Sequence, residues 1–376
     1  MVSAIHIITI GLGAAFVLGL LRDEWRARAY GLTLAALAAM SAIAAGWLWA
    51  FTVEGAPGRF IETAGSPPPF AINLRIDLPE AALLALICLT GLASAVYLTD
   101  TLMRLGRRAM AVLLITVMAL SGIVLTRDLF NMFVFFELAV ISTGGLILLS
   151  AETRALGAGI KYLIVAQAIS ILLLVGIIFS YHLTGTLNID GMAGASEAFV
   201  KGGMLAFFLV LMALVLELKP FPANGWALDI YEAAHPAFSA IFSAASGSAA
   251  IYALDKVLPA GGAPWLPVVS AIGIITFIAS NVLALSQTDD RRLLGYSSVA
   301  QIGLILTVIG LRDLLGERYL FVAGGILVAH AVAKDMENLR DFTLDAITSL
   351  PDVGRVETSL VFRATHKPVW PDLTRP

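Results

Sequence analysis

"RDLFNMFVFFELAVISTGGLILLS", residues 127–150, holds one ionisable side chain after its first two positions, Glu137, set among aliphatic and aromatic residues. A helix needs about 20 mostly apolar residues to cross a bilayer, and 129–150 meets that length. A charge within the hydrocarbon costs roughly 2.5–3.5 kcal/mol on insertion scales, so an acid at that depth is a functional hypothesis by default.

The whole composition agrees with a membrane protein. Of 376 residues, 59% are hydrophobic and 14% charged, whereas soluble domains run at roughly 45–50% and 25%. Too few polar side chains remain to cover a soluble globule of this length. The net charge of −3 offers no basic surface for nucleic acid. The single cysteine, Cys88, lies in an apolar run, so neither a disulfide framework nor a thiolate metal site can be built. No phosphate-loop, flavin or haem pattern is present, and the expectation is a chain with no metal and no cofactor.

Eleven stretches reach or approach spanning length: 3–21, 30–52, 78–98, 109–126, 129–150, 160–182, 203–219, 236–254, 265–286, 296–311 and 319–334. The predicted fold class is all-α, a polytopic transmembrane helical bundle of about eleven helices. The first stretch has no basic leader and no small-residue cleavage site, and reads as a retained anchor. The longest connection, 53–77, contains "GSPPPF" and reads as an extra-membrane loop. With the N-terminus outside, the inner loops hold Arg22, Arg26, Arg28, Arg104, Arg107, Arg108, Arg154, Lys161, Arg291 and Arg292. The outer loops hold Arg59, Arg75, Arg127, Lys201, Lys256, Arg312 and Arg318. The excess of basic residues on one side predicts an external N-terminus in the cell (inner) membrane.

Four of the charges inside the apolar stretches carry weight: Glu137 in the fifth, Glu217 and Lys219 near the end of the seventh, and Lys334 one helical turn after His330 in the eleventh. Glu137 and Lys219 could simply staple two helices. An apolar pair of similar volume often does that as well, because desolvation offsets the Coulombic gain, so the functional reading is preferred. Glu217 reads as lying close to a membrane boundary. In "LVLELKPFPANGW", Pro220 disfavours helical geometry at Lys219 and Pro222 prevents recovery of the helix, so the helix should break there. The carbonyls freed at the break present a negative dipole end that favours an ammonium. A lysine so placed keeps or releases its proton according to whether a carboxylate stands beside it.

"DLFNMFVFFE" (128–137), "IKYLIVAQAISILLLVGIIFSYHLTGTLNI" (160–189) and "RRLLGYSSVAQIG" (291–303) closely resemble the antiporter-like subunits shared by Mrp-type sodium/proton antiporters, respiratory complex I and membrane-bound hydrogenases. The Mrp D subunit and its hydrogenase relatives are the nearest likeness, and the resemblance covers roughly 75–334. It implies a bundle with two inverted five-helix repeats, each containing a broken helix. Here one repeat is complete, with the seventh helix broken, and the other incomplete. It further implies that a fifth-helix glutamate, matched by Glu137, works against a seventh-helix lysine, matched by Lys219, to move protons along a hydrated axis. His330 and Lys334 match the eleventh-helix histidine and lysine.

The resemblance fails in informative places. Relatives carry a lysine or histidine in the eighth helix where "ASGSAAIYAL" offers Ser248, and a hydroxyl cannot store a proton at ordinary pH. "GWALDIYEAAHPAFSA" replaces a tryptophan-leucine-proline-aspartate run; Asp229, Glu232 and His235 there form either a surface proton funnel or a solvated loop. Glu217, Ser248, Lys161 and His235 are accessory candidates. Lys161 and Gln167 also read as interhelical hydrogen-bonding groups.

After "AHAVAKD" the chain turns polar. Residues 335–376 read as one helix and one strand, too little to bury a core alone. "RDFTLDAITSLPDVGRVETSLVFRATHK" resembles the closing part of the effector-binding domain of Lrp/AsnC-type regulators. The expected domains are therefore 1–334, antiporter-like, and 335–376, a polar tail displaced onto the chain by a frameshift, fusion or join, or a native segment that docks on a partner. The expected function is proton or cation/proton translocation within a multisubunit complex, any enzyme activity lying in the complex rather than this chain. The alternative is a non-conducting structural subunit or truncated remnant. Expected partners are lipids, other integral membrane subunits, and protons, with sodium as the alternative ion.

Overall fold

The computed structural model describes residues 2–332 apart from 64, 67, 69, 150–152 and 317. The chain divides into two units, Met1–Val328 and Ala329–Pro376. Of the second, Ala329–Val332 form the end of a helix, and the tail expected at 335–376 lies outside the described residues.

The first unit is a helical bundle. Helices α1 (Ile5–Leu20) and α2 (Arg26–Thr52) lead to a hairpin of β1 (Arg59–Glu62) and β2 (Asn73–Ile76), paired antiparallel with Arg59 opposite Ile76. Helix α3 (Leu78–Tyr97) starts at a capping box in which the Asp77 and Glu80 side chains each serve a backbone N–H of the first turn. The short α4 (Thr99–Leu105) ends at Gly106, whose φ of 83° turns the chain into α5 (Arg107–Leu125). Helices α6 (Leu129–Leu149) and α7 (Thr153–Thr184) follow, then the short α8 (Ile189–Gly194) and α9 (Ser196–Lys201).

Next come α10 (Met204–Glu217), α11 (Gly225–Ala233), α12 (Pro236–Ala240), a π-helical turn at Ile241–Ser246 and α13 (Gly247–Gly261). The bundle ends with α14 (Leu266–Ala284), α15 (Asp290–Gly310), α16 (Arg312–Leu315) and α17 (Arg318–Val332).

Among the described residues, eight helices are long and apolar enough to cross a membrane. Three shorter apolar ones lie at Ile5–Leu20, Met204–Glu217 and Arg318–Leu327. Together these correspond to the eleven stretches expected from sequence. Lipid-length helices need no soluble face, and α14 accordingly exposes Ile274, Ile275, Ile278 and Val282. Its other side meets α15 at very short range. A Cβ on Gly303 would sit 2.7 Å from the Phe277 nitrogen, and one on Gly310 would sit 2.5 Å from the Ser270 nitrogen. Glycine is what allows two backbones to approach so closely where no water drives helices together.

The β-hairpin marks one end of the bundle. A bridge joins Leu74 to Thr126 at the end of α5, and another joins Asp128 to Asn188 before α8. The loop expected at 53–77 is thus partly strand. Alternation in "NLRI" is the signal for it; "RFIE" has none.

Candidate functional site

Helix α10 begins near the hairpin end and stops after 14 residues, about 21 Å of rise, short of the ~30 Å hydrocarbon thickness. Leu218 closes it, and Lys219 then takes φ 59°, the one non-glycine residue with positive φ among those described. Left-handed backbone is costly for a residue with a Cβ. Pro220 and Pro222 follow without N–H groups, so the helix cannot continue, and the Phe221 N–H donates to Thr276 Oγ1 of α14 at 3.2 Å. The chain resumes as α11, nine residues that complete the crossing.

The Lys219 side chain is 1% exposed. Its ammonium donates to the Phe242 carbonyl at 3.4 Å and lies 3.6 Å from the centroid of the Phe242 ring. Phe242 belongs to the π-helical turn, a wider turn that recurs at functional sites and shifts carbonyls from regular alignment. Aromatic rings wall the site: Tyr162 stacks on Trp226 at 5.6 Å and meets Phe242 edge-on at 5.8 Å. Among the described residues no ion pair within 4 Å joins Lys219 to a carboxylate.

Of the two carboxylates singled out from sequence, Glu217 acts electrostatically on Lys219, and Glu137 acts on Glu217. Glu137, half-buried on α6, accepts a hydrogen bond from Gln167 Nε2 of α7 at 3.1 Å. Glu217, two residues before Lys219, is 7% exposed and lies within electrostatic reach of both Lys219 and Glu137. It lines a crevice with Phe136, Val140, Ile169, Ser170 and Leu173. Glu217 is thus buried inside the bundle at the end of α10.

Ser248 of α13 is fully buried, and its hydroxyl donates to the Ala244 carbonyl of the preceding turn. At the end of the bundle opposite the hairpin, Lys161 pairs with Asp229 at 2.9 Å, and Arg292 bridges Asp229 (3.2 Å) and Glu232 (2.8 Å). Asp229 and Glu232 lie on α11, so this stretch is an ion-paired helix and not a loop. His235 caps α12, its Nδ1 accepting from the Ala237 N–H at 3.4 Å, and its ring packs against Tyr97. His330 lies on the part of α17 beyond the first unit, and Lys334 lies outside the described residues.

Sequence reasoning missed a second buried lysine. Lys256, assigned there to an outer loop, sits inside α13 and is 6% exposed. Its ammonium donates to the carbonyls of Ile123 (2.6 Å), Val124 (3.1 Å) and Thr126 (2.8 Å), capping the end of α5. One turn earlier Tyr252 donates to the buried Glu80 at 2.5 Å. The signal that could have found it is the apolar Val257-Leu258 pair beyond the lysine, which keeps the helix running. Among the described residues no group of three or more His, Cys, Asp or Glu could hold a metal.

With a lysine buried at a helix break beside Glu217, comparison with known proteins identifies the lineage. The family model described as "NADH:quinone oxidoreductase/Mrp antiporter, TM" matches residues 126–336, more than half of the chain. The chain belongs to this family. It is 30% identical over 316 residues to NADH-quinone oxidoreductase subunit N of Desulforudis audaxviator, covering 81% of this chain and 62% of that one. It is 28% identical over 260 residues to a Na(+)/H(+) antiporter subunit of Alkalihalophilus pseudofirmus, covering 65% and 32%. The chain thus spans little more than half the length of the subunit N relatives, 62%, 55% and 54% in three of them.

Among solved structures, a chain of the membrane-bound sulfane sulfur reductase, an archaeal respiratory membrane complex, superposes with a TM-score of 0.80 at 25% identity, covering 87% of this chain and 68% of that one. A chain of the Mrp complex from Dietzia sp. DQ12-45-1b gives 0.78 at 26% identity, covering 88% and 62%. A second family model, the Lrp/AsnC ligand binding domain, matches residues 322–370. Most of those residues lie outside the described ones.

Proposed function

We propose that this multi-pass membrane protein is a proton-translocating subunit of a larger Mrp-type or complex I-like assembly, and that Lys219 is the group that takes up and releases the proton. The observation that carries this reading is a fully buried ammonium at a helix break, held by one carbonyl and one ring face and not locked in an ion pair. A proton on such a group is poorly compensated and moves when a carboxylate's charge nears. Glu137, held by Gln167, and Glu217, nearer in the chain, are the carboxylates that modulate it. The partners are lipids and other integral membrane subunits, as in the multisubunit complexes to which the solved relatives belong. The transported ion is the proton, with sodium as the counter-ion in an exchange mode. His330 and Lys334 are the further proton-carrying candidates, the N-terminus lies outside, and a domain boundary falls near residue 334. The likeness to a D subunit does not follow from the relatives found.

Ser248 favours a second reading. Its hydroxyl is taken up inside its own helix, where the family resemblance implies a proton-storing side chain, which suits a non-conducting structural subunit. Reconstituting the assembled complex in liposomes with Glu137→Gln, Glu217→Gln or Lys219→Ala separates the two. Loss of proton uptake with normal assembly supports the translocating role. Wild-type uptake in the Lys219 variant makes the chain structural.

A further inference from the structure

Three hydroxyls meet between α11, α15 and the π-helical turn. The Tyr231 hydroxyl of α11 lies 2.9 Å from Ser298 Oγ of α15, and Ser298 Oγ lies 2.8 Å from Ser243 Oγ in the π-helical turn. Tyr231 and Ser298 are buried, at 5% and 2% exposure. In each bond either oxygen can be the donor, so the chain can be polarised in either direction.

Its two ends are placed to matter. Ser243 directly follows Phe242, whose carbonyl receives the Lys219 ammonium and whose ring lies 5.5 Å from that of Tyr231. At the other end, Tyr231 stands in α11 between Asp229 and Glu232, whose side chains are partly exposed and share Arg292. Asn224 Nδ2 just after the break, Ser239 Oγ of α12 and Ser280 Oγ of α14 are buried without a protein partner among the described residues. Buried polar atoms of that kind are ordinarily satisfied by ordered water.

Building on the proposed role of Lys219, we propose that Tyr231, Ser298 and Ser243 form a hydroxyl relay carrying protons between the Asp229/Glu232 end of the bundle and Lys219, with water completing the step at each end. A proton reaches the Tyr231 oxygen as the phenol's own proton passes to Ser298. The Ser298 proton passes to Ser243, and that of Ser243 passes through water to a neutral Lys219 amine, giving the ammonium. Only O–H and N–H bonds change, no hydroxyl is left charged, and rotation of the three hydroxyls resets the chain. Hydroxyls suit this role because they pass protons without storing them. Ser248 is not a link, since its proton is committed to the Ala244 carbonyl. The rival reading is that the trio is interhelical glue.

The test uses the full-length chain in its assembled complex, reconstituted in liposomes, with proton uptake read by an internal pH dye and assembly by gel filtration. Tyr231→Phe and Ser298→Ala are each expected to slow uptake about tenfold with assembly unchanged, and Ser298→Thr to restore it. Wild-type uptake in Ser298→Ala and Tyr231→Phe, beside an inactive Lys219→Ala, overturns the relay and leaves the Lys219 reading standing. A loss in Ser298→Ala that Ser298→Thr fails to restore marks packing and also overturns it. Full uptake in Lys219→Ala removes the reading on which the relay rests.

Discussion

The Lys219 ammonium is held twice by one residue, at 3.4 Å from the carbonyl oxygen of Phe242 and 3.6 Å from the centroid of its ring. Phe242 lies in the π-helical turn at Ile241–Ser246, where carbonyls depart from regular α-helical alignment. Carbonyl and quadrupole together hold a cation without neutralising it, and the proton therefore stays exchangeable.

Lys219→Met is expected to separate stability from transport. It keeps the stem's volume and removes a buried charge that has no carboxylate within 4 Å, so the thermal midpoint in detergent should stay level or rise. Proton uptake by the complex should vanish. A midpoint lowered by several degrees would mean that the ammonium stabilises the break, and the site would then be structural.

Lys256 behaves in the opposite way. Its three carbonyl acceptors close the end of α5, where a cation is favoured by the helix dipole as well as by hydrogen bonding. Lys256→Met leaves those carbonyls buried and unpartnered, and should lower unfolding stability by about 2–4 kcal/mol. Comparison of thermal midpoints for Lys256→Met and Lys219→Met checks the contrast; equal midpoints would refute it.

The difference between the two lysines also explains what the sequence could reveal. The bundle was legible because spanning length is a property of composition along a window. The break at Lys219 was legible because Pro220 and Pro222 act locally. Lys256 was not, because its partners Ile123, Val124 and Thr126 precede it by 130 or more residues and an adjacent Asp255 imitates a helix boundary. The burial of Glu217 was not legible, because it depends on α6 and α7 residues such as Phe136 and Ile169 that line the same crevice. The π-helical turn has no local signature in "IFSAAS", and the Tyr231–Ser298–Ser243 contact depends on three elements meeting. Nothing in the spacing of those hydroxyls predicts it.

Close backbone approach between α14 and α15 gives a packing prediction. Gly303→Val would drive a branched side chain against the Phe277 nitrogen and the Gly273 carbonyl, with no flexible group able to yield. Overpacking of this kind costs about 1–3 kcal/mol or more. Gly13→Ala in α1, where a Cβ meets nothing within 4 Å, should be neutral. Yield of assembled protein and thermal midpoint measure both, and an unaffected Gly303→Val would show that the two helices can separate freely.

Asp128 supplies a pH test outside the spanning helices. Burial pushes its carboxyl above the ordinary carboxylate value, against hydrogen bonds from the backbone of Asn131 and Phe130 that lower it. The folded chain therefore binds this proton more tightly than the unfolded chain does. Between the two values the folded state carries more protons, so this group's contribution to stability falls as pH rises through that window and is constant on either side. Asp128→Asn keeps an acceptor for the Asn131 N–H, which Asp128 Oδ1 now receives at 2.8 Å, and removes the charge. The variant should be at least as stable as wild type at neutral pH and should lose that share of the decline above the acid range. Thermal midpoints measured from pH 4 to 7 decide it: a variant whose stability drops at pH 7 would mean that the ionised carboxylate is favoured in the fold, and the sign assigned here would be reversed.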